Sequence, residues 1–338
     1  MKSAAIEGAL ETPRDPRPVR TLAEQGRRLG VLMTIPAQLL LLFIVLFPLF
    51  MQIYISMTYW GPTDGVDWIY AYRSANWFDN YVDFFSDNEL LNSLMRTLGI
   101  MAVAVPVEFL LGFGLAILFV ESFPGKRIFH SILLTPMMVV PAVAGYMFFM
   151  LFESNGPANQ ILSLLTGTRI DWVWLSVPGL AFAAVIIVDV WQWTPLMFLI
   201  LLAGILSVPE DQLTAAMMLG ASWPQRFRRI VLPRMKAVIA IALVLRLVEA
   251  FKLFDVMFVM TRGGPGTATE TISYYIYKKT FNDLEWSYVA AIGLTILVIL
   301  SVLAVLGMRL MTRSTAEDAS AGAADPASTE TRAEVESA

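Results

Sequence analysis

Four residues near the middle of the chain have side chains that suit recognition of a hydroxyl-rich molecule. They lie within five positions just before Pro195: Asp189, Trp191, Gln192 and Trp193. Carboxylate and amide groups form hydrogen bonds with hydroxyls, and indole rings offer flat apolar faces against which the C–H groups of a sugar can stack. The pattern therefore suits a sugar or a polyol. The same residues could equally make contacts between helices, and both interpretations stay open.

A second set of charges lies in a later apolar segment at three-residue steps: Arg246, Glu249, Lys252 and Asp255. Alternating signs at this spacing predict pairing along one flank of a helix, which offsets part of the cost of placing charges in an apolar environment. The favoured interpretation is a structural ladder or, for Lys252 and Asp255, a position near the outer interface, and a direct role in moving a solute is the alternative. If these charges act directly on a solute, Glu249 is a candidate to line its path. Arg96 and Glu108, in an earlier apolar segment, are predicted to be structural.

A polar, arginine-bearing segment from Gln212 to Lys236 separates two long apolar stretches. Gly220 and Pro233 interrupt it, and basic residues lie between them. An ordered amphipathic segment between apolar helices suits docking of a soluble partner. The segment is therefore a candidate handle by which a partner could move the apolar part of the molecule.

The composition predicts a multi-pass membrane protein. Hydrophobic residues make up 57% of the chain and charged residues 15%, whereas soluble domains are about a quarter charged. A net charge of −4 gives no basic surplus for nucleic acid. With no cysteine and a single histidine, the sequence has no thiolate or histidine metal cluster. It also lacks a phosphate-binding loop, so the energy for any work must come from an ion gradient or from another subunit.

Six membrane spans are predicted from apolar runs of about 20 residues: 31–57, 93–120, 128–152, 178–204, 237–260 and 288–310. Lysine and arginine concentrate in the tails and in the loops after spans two and four, which predicts that both termini are cytoplasmic. Residues 1–28 and 314–338 are predicted to be disordered cytoplasmic tails.

The segment after span four resembles the "EAA" loop of binding-protein-dependent ABC importer permeases. The matching positions are Ala215-Ala216, Gly220-Ala221, Phe227, Ile230 and Leu232-Pro233. Thr214 replaces the usual glutamate, and Leu219 replaces the usual acidic residue before the glycine. The resemblance implies a coupling helix that docks an ATPase, with these residues involved: Thr214, Ala215, Ala216, Gly220, Ala221, Arg226, Phe227, Arg228, Arg229 and Pro233.

A second stretch is similar to permeases of the maltose, lactose and glycerol-phosphate type. It comprises Phe254-Asp255-Val256, Thr261, Gly263-Gly264-Pro265, Thr269-Glu270-Thr271 and Tyr275-Ile276-Tyr277. The resemblance implies an all-α membrane protein with the type I ABC importer permease fold, in which residues 29–91 form the first span and outer loop. Residues 92–313 then form the permease core, and the coupling loop covers 209–234.

The same resemblance implies the mechanism and the partners. An extracytoplasmic solute-binding protein delivers a sugar or polyol to this chain and a second permease in the bacterial inner membrane. Two ATPase subunits bind ATP and Mg²⁺ and supply the energy, so this chain is not itself an enzyme and binds no cofactor or metal. Asp189, Trp191, Gln192, Trp193 and Glu249 are the candidates for the substrate path. An ion-coupled secondary transporter is the alternative function.

Overall fold

The computed structural model describes the backbone of residues 22–323 and the side chains of residues 33–305. This part of the chain is helical, and its one β-type contact is an isolated bridge between Thr58 and Ala75. The all-α prediction is therefore confirmed. The helices are α1 Leu22–Ser56, α2 Asp79–Ser86, α3 Asn88–Leu118, α4 Lys126–Met138, α5 Pro141–Leu151, α6 Pro157–Thr166, α7 Pro178–Leu206, α8 Glu210–Met218, α9 Trp223–Arg226, α10 Leu232–Phe251, α11 Asp255–Met260, α12 Ile272–Phe281 and α13 Trp286–Ala323.

The chain divides into two compact units, residues 1–54 and 55–338. The first contains most of α1, an apolar helix with Pro36 and Pro48 inside it. Because α1 begins at Leu22 and α13 ends at Ala323, helix extends into both segments predicted to be disordered tails. The rest of those tails, residues 1–21 and 324–338, lies outside the described residues, and the prediction for it stays a prediction.

Four helical segments of the described chain are long and apolar enough to cross a membrane: Met33–Ser56, Asn88–Leu118, Pro178–Leu206 and Trp286–Val305. They correspond to predicted spans one, two, four and six. Predicted span three is not straight, because α4 and α5 meet at an angle of 97°. Pro136 and Pro141 flank this break, and proline removes the backbone donor that a continuous helix needs.

Predicted span five, residues 237–260, is not one helix. It divides between α10, which ends at Phe251, and α11, which begins at Asp255. The described segments therefore give four candidate spans, or five if the bent pair counts as one. Helix α10 is not among these candidates, because its 20 residues include four charged ones: Arg234, Lys236, Arg246 and Glu249.

Helix α7 lies at the centre of the second unit and packs against α3, α10, α4 and α5. Close helix approach depends on glycine. A Cβ atom added at Gly112 of α3 would lie 2.8 Å from Met197 Cβ and Phe198 N of α7, and one at Gly204 of α7 would lie 2.9 Å from Val238 of α10. Small residues at such contacts are typical of membrane helix packing, so α3 and α10 are both held tightly against α7.

Asp87 joins the ends of three helices on the side of this unit where α3 begins. Its carboxylate accepts hydrogen bonds from the N–H groups of Glu89 at 2.9 Å and Leu90 at 3.1 Å, and from the hydroxyls of Tyr275 and Tyr288. Burial acts to raise the pKa of Asp87, but the hydrogen bonds from Tyr275 and the other donors hold it below its ordinary value. Asp87 therefore caps α3 and fixes α12 and α13 to it as a carboxylate.

Candidate functional site

Three charged residues from three helices meet in the interior of the second unit. The Nε of Arg246, on α10, donates to Glu108 Oε2 of α3 at 2.5 Å, and its Nη2 donates to Glu108 Oε1 at 2.8 Å. The same Nη2 also donates to Asp189 Oδ2 of α7. The three side chains are only 0–2% exposed. We call this set the Arg246 cluster.

The Arg246 cluster is stabilised by its geometry. Taking an ion out of water costs several kcal/mol, and close pairing with hydrogen bonds is needed to offset that cost. The two parallel bonds to Glu108 are the geometry that a guanidinium forms with a carboxylate. The guanidinium carbon also lies 5.1 Å from the ring centre of Trp193, a cation–π distance. The cluster can therefore hold α3, α7 and α10 in one arrangement.

The structure brings two of the predicted substrate-path residues together at this cluster. Asp189 is buried, and its carboxylate faces Arg246, whereas Trp193 is half-buried with its ring near the guanidinium. In this conformation Asp189 is committed to the ion pair, which favours the interhelical interpretation of that residue. Trp193 keeps part of its surface accessible.

The other three predicted path residues lie elsewhere. Trp191 is half-buried and packs edge-on against Phe148 of α5, with ring centres 5.1 Å apart. Gln192 is buried, and its Nε2 donates to the Val139 carbonyl at the break between α4 and α5. Its Oε1 has no hydrogen-bond partner among the described residues. Glu249 bonds to Lys252 at 2.8 Å on a flank of α10 where its side chain is 40% exposed.

The predicted ladder of charges along span five is wrong except for its middle step. Glu249 and Lys252 pair as expected, but Arg246 pairs across to α3 and α7, and Asp255 is an exposed residue that begins α11. Two partners on other helices outcompete one neighbour on the same helix, because they bind Arg246 where water is absent. In the sequence, Glu108 could be noticed only as a charge within the apolar run of predicted span two, a property that it shares with Arg96.

The segment between α7 and α10, residues 207–231, folds as two short helical pieces around Gly220. Helix α8 ends in a Schellman motif, in which Gly220 N–H bonds to Met217 O and Ala221 N–H to Ala216 O, both at 2.9 Å. Gly220 has φ +80°, a conformation that residues with a Cβ rarely adopt. The sharp reversal leaves Met218 and Leu219 84% and 89% exposed. We call this tip the loop apex.

The second piece of this segment is anchored by aromatic rings. Trp223 of α9 stacks on Phe227 with ring centres 5.1 Å apart, and Phe227 lies 5.6 Å from Phe113 of α3. A π-helical turn, Phe227–Val231, then leads into α10. Pro233 favours this wider turn, because a proline has no N–H for the carbonyl four residues before it.

Most residues that the resemblance assigns to coupling are accessible. Thr214, Ala215, Gly220, Arg228, Arg229 and Pro233 are exposed, and Ala216, Ala221, Arg226 and Phe227 are half-buried. Arg226 Nε is buried without a hydrogen-bond partner in the described part of the chain. The segment thus presents a surface on one side. Its other side, through Val208 and Val231, packs into an apolar cluster with Phe198 and Leu201 of α7 and Met235 of α10.

Residues 85–315 match the protein family described as binding-protein-dependent transport system inner membrane component. The chain belongs to this family. The matched range contains the Arg246 cluster and the whole segment between α7 and α10. Family membership confirms the predicted transport role in the inner membrane, and it favours an importer over the ion-coupled alternative.

Related proteins are named as permeases of the same type. The chain is 36% identical over 264 residues to the probable ABC transporter permease protein y4oQ of Sinorhizobium fredii, covering 77% of this chain and 82% of that protein. It is 33% identical over 285 residues to the trehalose/maltose transport system permease protein MalF of Thermococcus litoralis, covering 81% and 90%. It is 32% identical to the sulfoquinovosyl glycerol transport system permease protein SmoG of Agrobacterium fabrum, covering 82% and 88%.

A solved structure shares the fold. One chain of a bacterial ABC transporter involved in the import of the acidic polysaccharide alginate superposes with a TM-score of 0.72 at 19% identity. The match covers 86% of this permease and 98% of that chain. The all-helical architecture is therefore that of an ABC importer permease.

Proposed function

We propose that this permease is the membrane subunit of an ATP-driven importer for a sugar or polyol, and that its loop apex docks an ATPase subunit. The observation that carries the proposal is the segment between α7 and α10. It exposes an ordered apolar tip on one side and packs into the core of the helical unit on the other. Such a segment can receive a push from a soluble partner and pass it to two helices.

The composition of the loop apex supports docking by shape. Thr214 and Leu219 stand where the family usually has acidic residues, so the apex offers no carboxylate at either position. Met218 and Leu219 are the most exposed large hydrophobic side chains of this segment. Apolar tips of this kind bind in grooves of a partner, with Arg228 and Arg229 available for contacts at the rim.

Docking can be tested with a matched pair of substitutions. Met218→Asp and Leu164→Asp each place a charge at a side chain that is 84% exposed, the first at the loop apex and the second on α6. The purified complex of this permease with its cognate ATPase should lose the ATPase on Met218→Asp and keep it on Leu164→Asp. Full retention of the ATPase with Met218→Asp would remove the apex from the docking surface.

A carbohydrate substrate is supported by the relatives named for trehalose, maltose and sulfoquinovosyl glycerol, and by Trp193. Among the predicted path residues, Trp193 combines an accessible ring with a polar neighbour, Arg246. Indole faces stack on sugar rings, and the guanidinium of Arg246 next to the Trp193 ring fixes the position of that ring. Glu249, with a side chain that is 40% exposed, is a further accessible residue of the proposed path.

Uptake measurements test the substrate class. Trp193→Ala should reduce the uptake of labelled trehalose or maltose by cells that produce the importer, whereas Trp172→Ala, at a 46% exposed tryptophan between α6 and α7, should not. Unchanged uptake and affinity in both Trp193→Ala and Glu249→Ala would exclude these residues from the path. Uptake that survives ATP depletion but stops with the proton gradient would support the ion-coupled alternative.

The proposed topology has six spans and two cytoplasmic termini. It counts the four long candidates, the bent pair α4–α5, and α10, whose 20 residues give about 30 Å of helix, the thickness of the hydrocarbon core. The bias of lysine and arginine toward the tails and the loop apex side supports this orientation. Because the chain has no cysteine, Met218→Cys and Asp64→Cys should react with a membrane-impermeant maleimide from opposite sides.

The proposed assembly contains a second permease, two ATPase subunits and an extracytoplasmic solute-binding protein. A solved ABC importer with this fold has been determined in complex with a periplasmic protein bound to an alginate pentasaccharide. In the proposed assembly ATP and Mg²⁺ bind to the ATPase subunits alone. Purification of this chain through a tag, followed by identification of the co-purifying subunits and their stoichiometry, tests this composition.

A further inference from the structure

The two helices that flank the loop apex segment are connected a second time, far from it. Asp189 lies 17 residues before the end of α7, and Arg246 lies 14 residues after the start of α10. At 1.5 Å per residue, these positions are about 25 Å and about 21 Å along their helices from the loop. The helices are thus joined by covalent chain at one end and by the Asp189–Arg246 ion pair well inside the unit.

We propose that Arg246 is a positioning residue for transport, which makes α3, α7 and α10 move as one body when a partner displaces the loop apex. This inference rests on the proposed function. Arg246 does not need to touch the substrate for this role. It transmits a displacement from the loop to the opposite ends of the helices.

Packing alone cannot transmit this displacement in the same way. Near the loop, α7 and α10 meet through Gly204 and Val238, an apolar contact that has no directional bonds. The bonds of Arg246 are directional. Rotation of α10 about its axis, or sliding along α7, would break the two parallel bonds to Glu108 and the bond to Asp189. Such a planar fork resists movement in more directions than a single ammonium can.

Burial makes the tie stronger than a surface ion pair. The side chain of Arg246 is 1% exposed, whereas Lys252, six residues later and directly after the end of α10, is 58% exposed in its pair with Glu249. Exposed pairs contribute little because solvent screens them. The exposed Glu249–Lys252 pair, which does not join α10 to another helix, is therefore a control for the buried pairs of Arg246, which do.

The experiment places two labelling sites in the cysteine-free chain. Met218→Cys reports at the loop apex, and Asp255→Cys reports at the exposed start of α11, beyond the cluster. Maleimide labelling is measured in the complete complex, in proteoliposomes, with and without Mg-ATP plus vanadate. In the parent complex, ATP with vanadate should change the labelling rate at both sites.

Labelling is then compared in three variants, which separates loss of transmission between the two sites from loss of folding. Arg246→Lys keeps the charge without the fork, and the triple variant Glu108→Leu/Asp189→Ala/Arg246→Met replaces the cluster by apolar groups of similar total volume. Lys252→Gln is the control. We expect the two cluster variants to keep the change at Met218→Cys while the change at Asp255→Cys falls about fivefold or more, the lower end of ordinary coupling between sites. Lys252→Gln should leave both changes intact.

The outcomes are distinguishable. A full response at Asp255→Cys in either cluster variant overturns the proposal, and so does an unresponsive Asp255→Cys in the parent complex. Loss of the response at both sites in the cluster variants shows a role in folding or docking only, and also overturns it. A Met218→Cys site that never responds in the parent complex refutes the docking function itself, which is a separate result.

Discussion

Replacing Arg246 by methionine should strongly destabilise the permease. The substitution leaves two carboxylates, Glu108 and Asp189, without a cation at sites that are at most 2% exposed. Removal of one partner from a buried ion pair costs about 3–5 kcal/mol, whereas replacement of the whole set by well-packed apolar residues is often neutral or stabilising. The triple variant Glu108→Leu/Asp189→Ala/Arg246→Met should therefore recover most of the stability that Arg246→Met loses.

The assay is thermal unfolding of the purified permease in detergent, followed by the fluorescence of its nine tryptophans. With about 2–4 °C per kcal/mol for a unit of 150–250 residues, the loss corresponds to a decrease in Tm of about 6–20 °C. The triple variant should melt within a few degrees of the parent protein. Equal Tm values for Arg246→Met and the parent protein would refute the argument, and so would a triple variant that melts as low as the single one.

Three further predictions concern other contacts. Gly112→Ala should lower Tm, because its Cβ would lie 2.8 Å from atoms of α7 and overpacking costs about 1–3 kcal/mol; Gly114→Ala, with nothing within 4 Å, should not. Gly220→Val should weaken co-purification of the ATPase and lower the free energy of unfolding by no more than about 1–2 kcal/mol, because φ +80° strains a residue with a Cβ. Asp87 has a lowered pKa in the folded protein, so its stabilising contribution is complete above its ordinary pKa of 3.8 and is lost as the pH falls through the lowered value. Unfolding measured from pH 6 downward should show that Asp87→Asn lacks this acid-dependent loss; an identical pH profile for both proteins would contradict it.

Local features of this permease could be predicted from the sequence. The break at Gly220 follows from the conformational freedom of glycine, and the apolar runs gave spans one, two, four and six at close to their observed bounds. These features depend on residues within a few turns of one another. The bend within predicted span three could be predicted only in part. Pro136 and Pro141 lie on either side of it and indicate a break in the helix. They do not by themselves determine its angle of 97°.

The Arg246 cluster could not be predicted in the same way. Its members are 57 and 138 positions apart in the chain, and the spacing around Arg246 also fits pairing with Glu249 three residues later. Which partner pairs with Arg246 depends on where water is excluded, and that is decided by how α7 packs against α3 at Gly112 and against α10 at Gly204. Pairing between helices is therefore a property of the packed unit.

The same pairing bears on the proposal that α10 is a membrane span. Composition alone counts each charge at its full cost, and α10 carries four: Arg234, Lys236, Arg246 and Glu249. In the folded unit Arg246 is matched by two carboxylates from other helices, and Glu249 by Lys252. Ionisable residues within membrane segments face the protein interior and pair there. On the proposed six-span topology, carboxylates of α3 and α7 thus offset the cost of Arg246, and we expect α10 to depend on both helices for its place in the membrane.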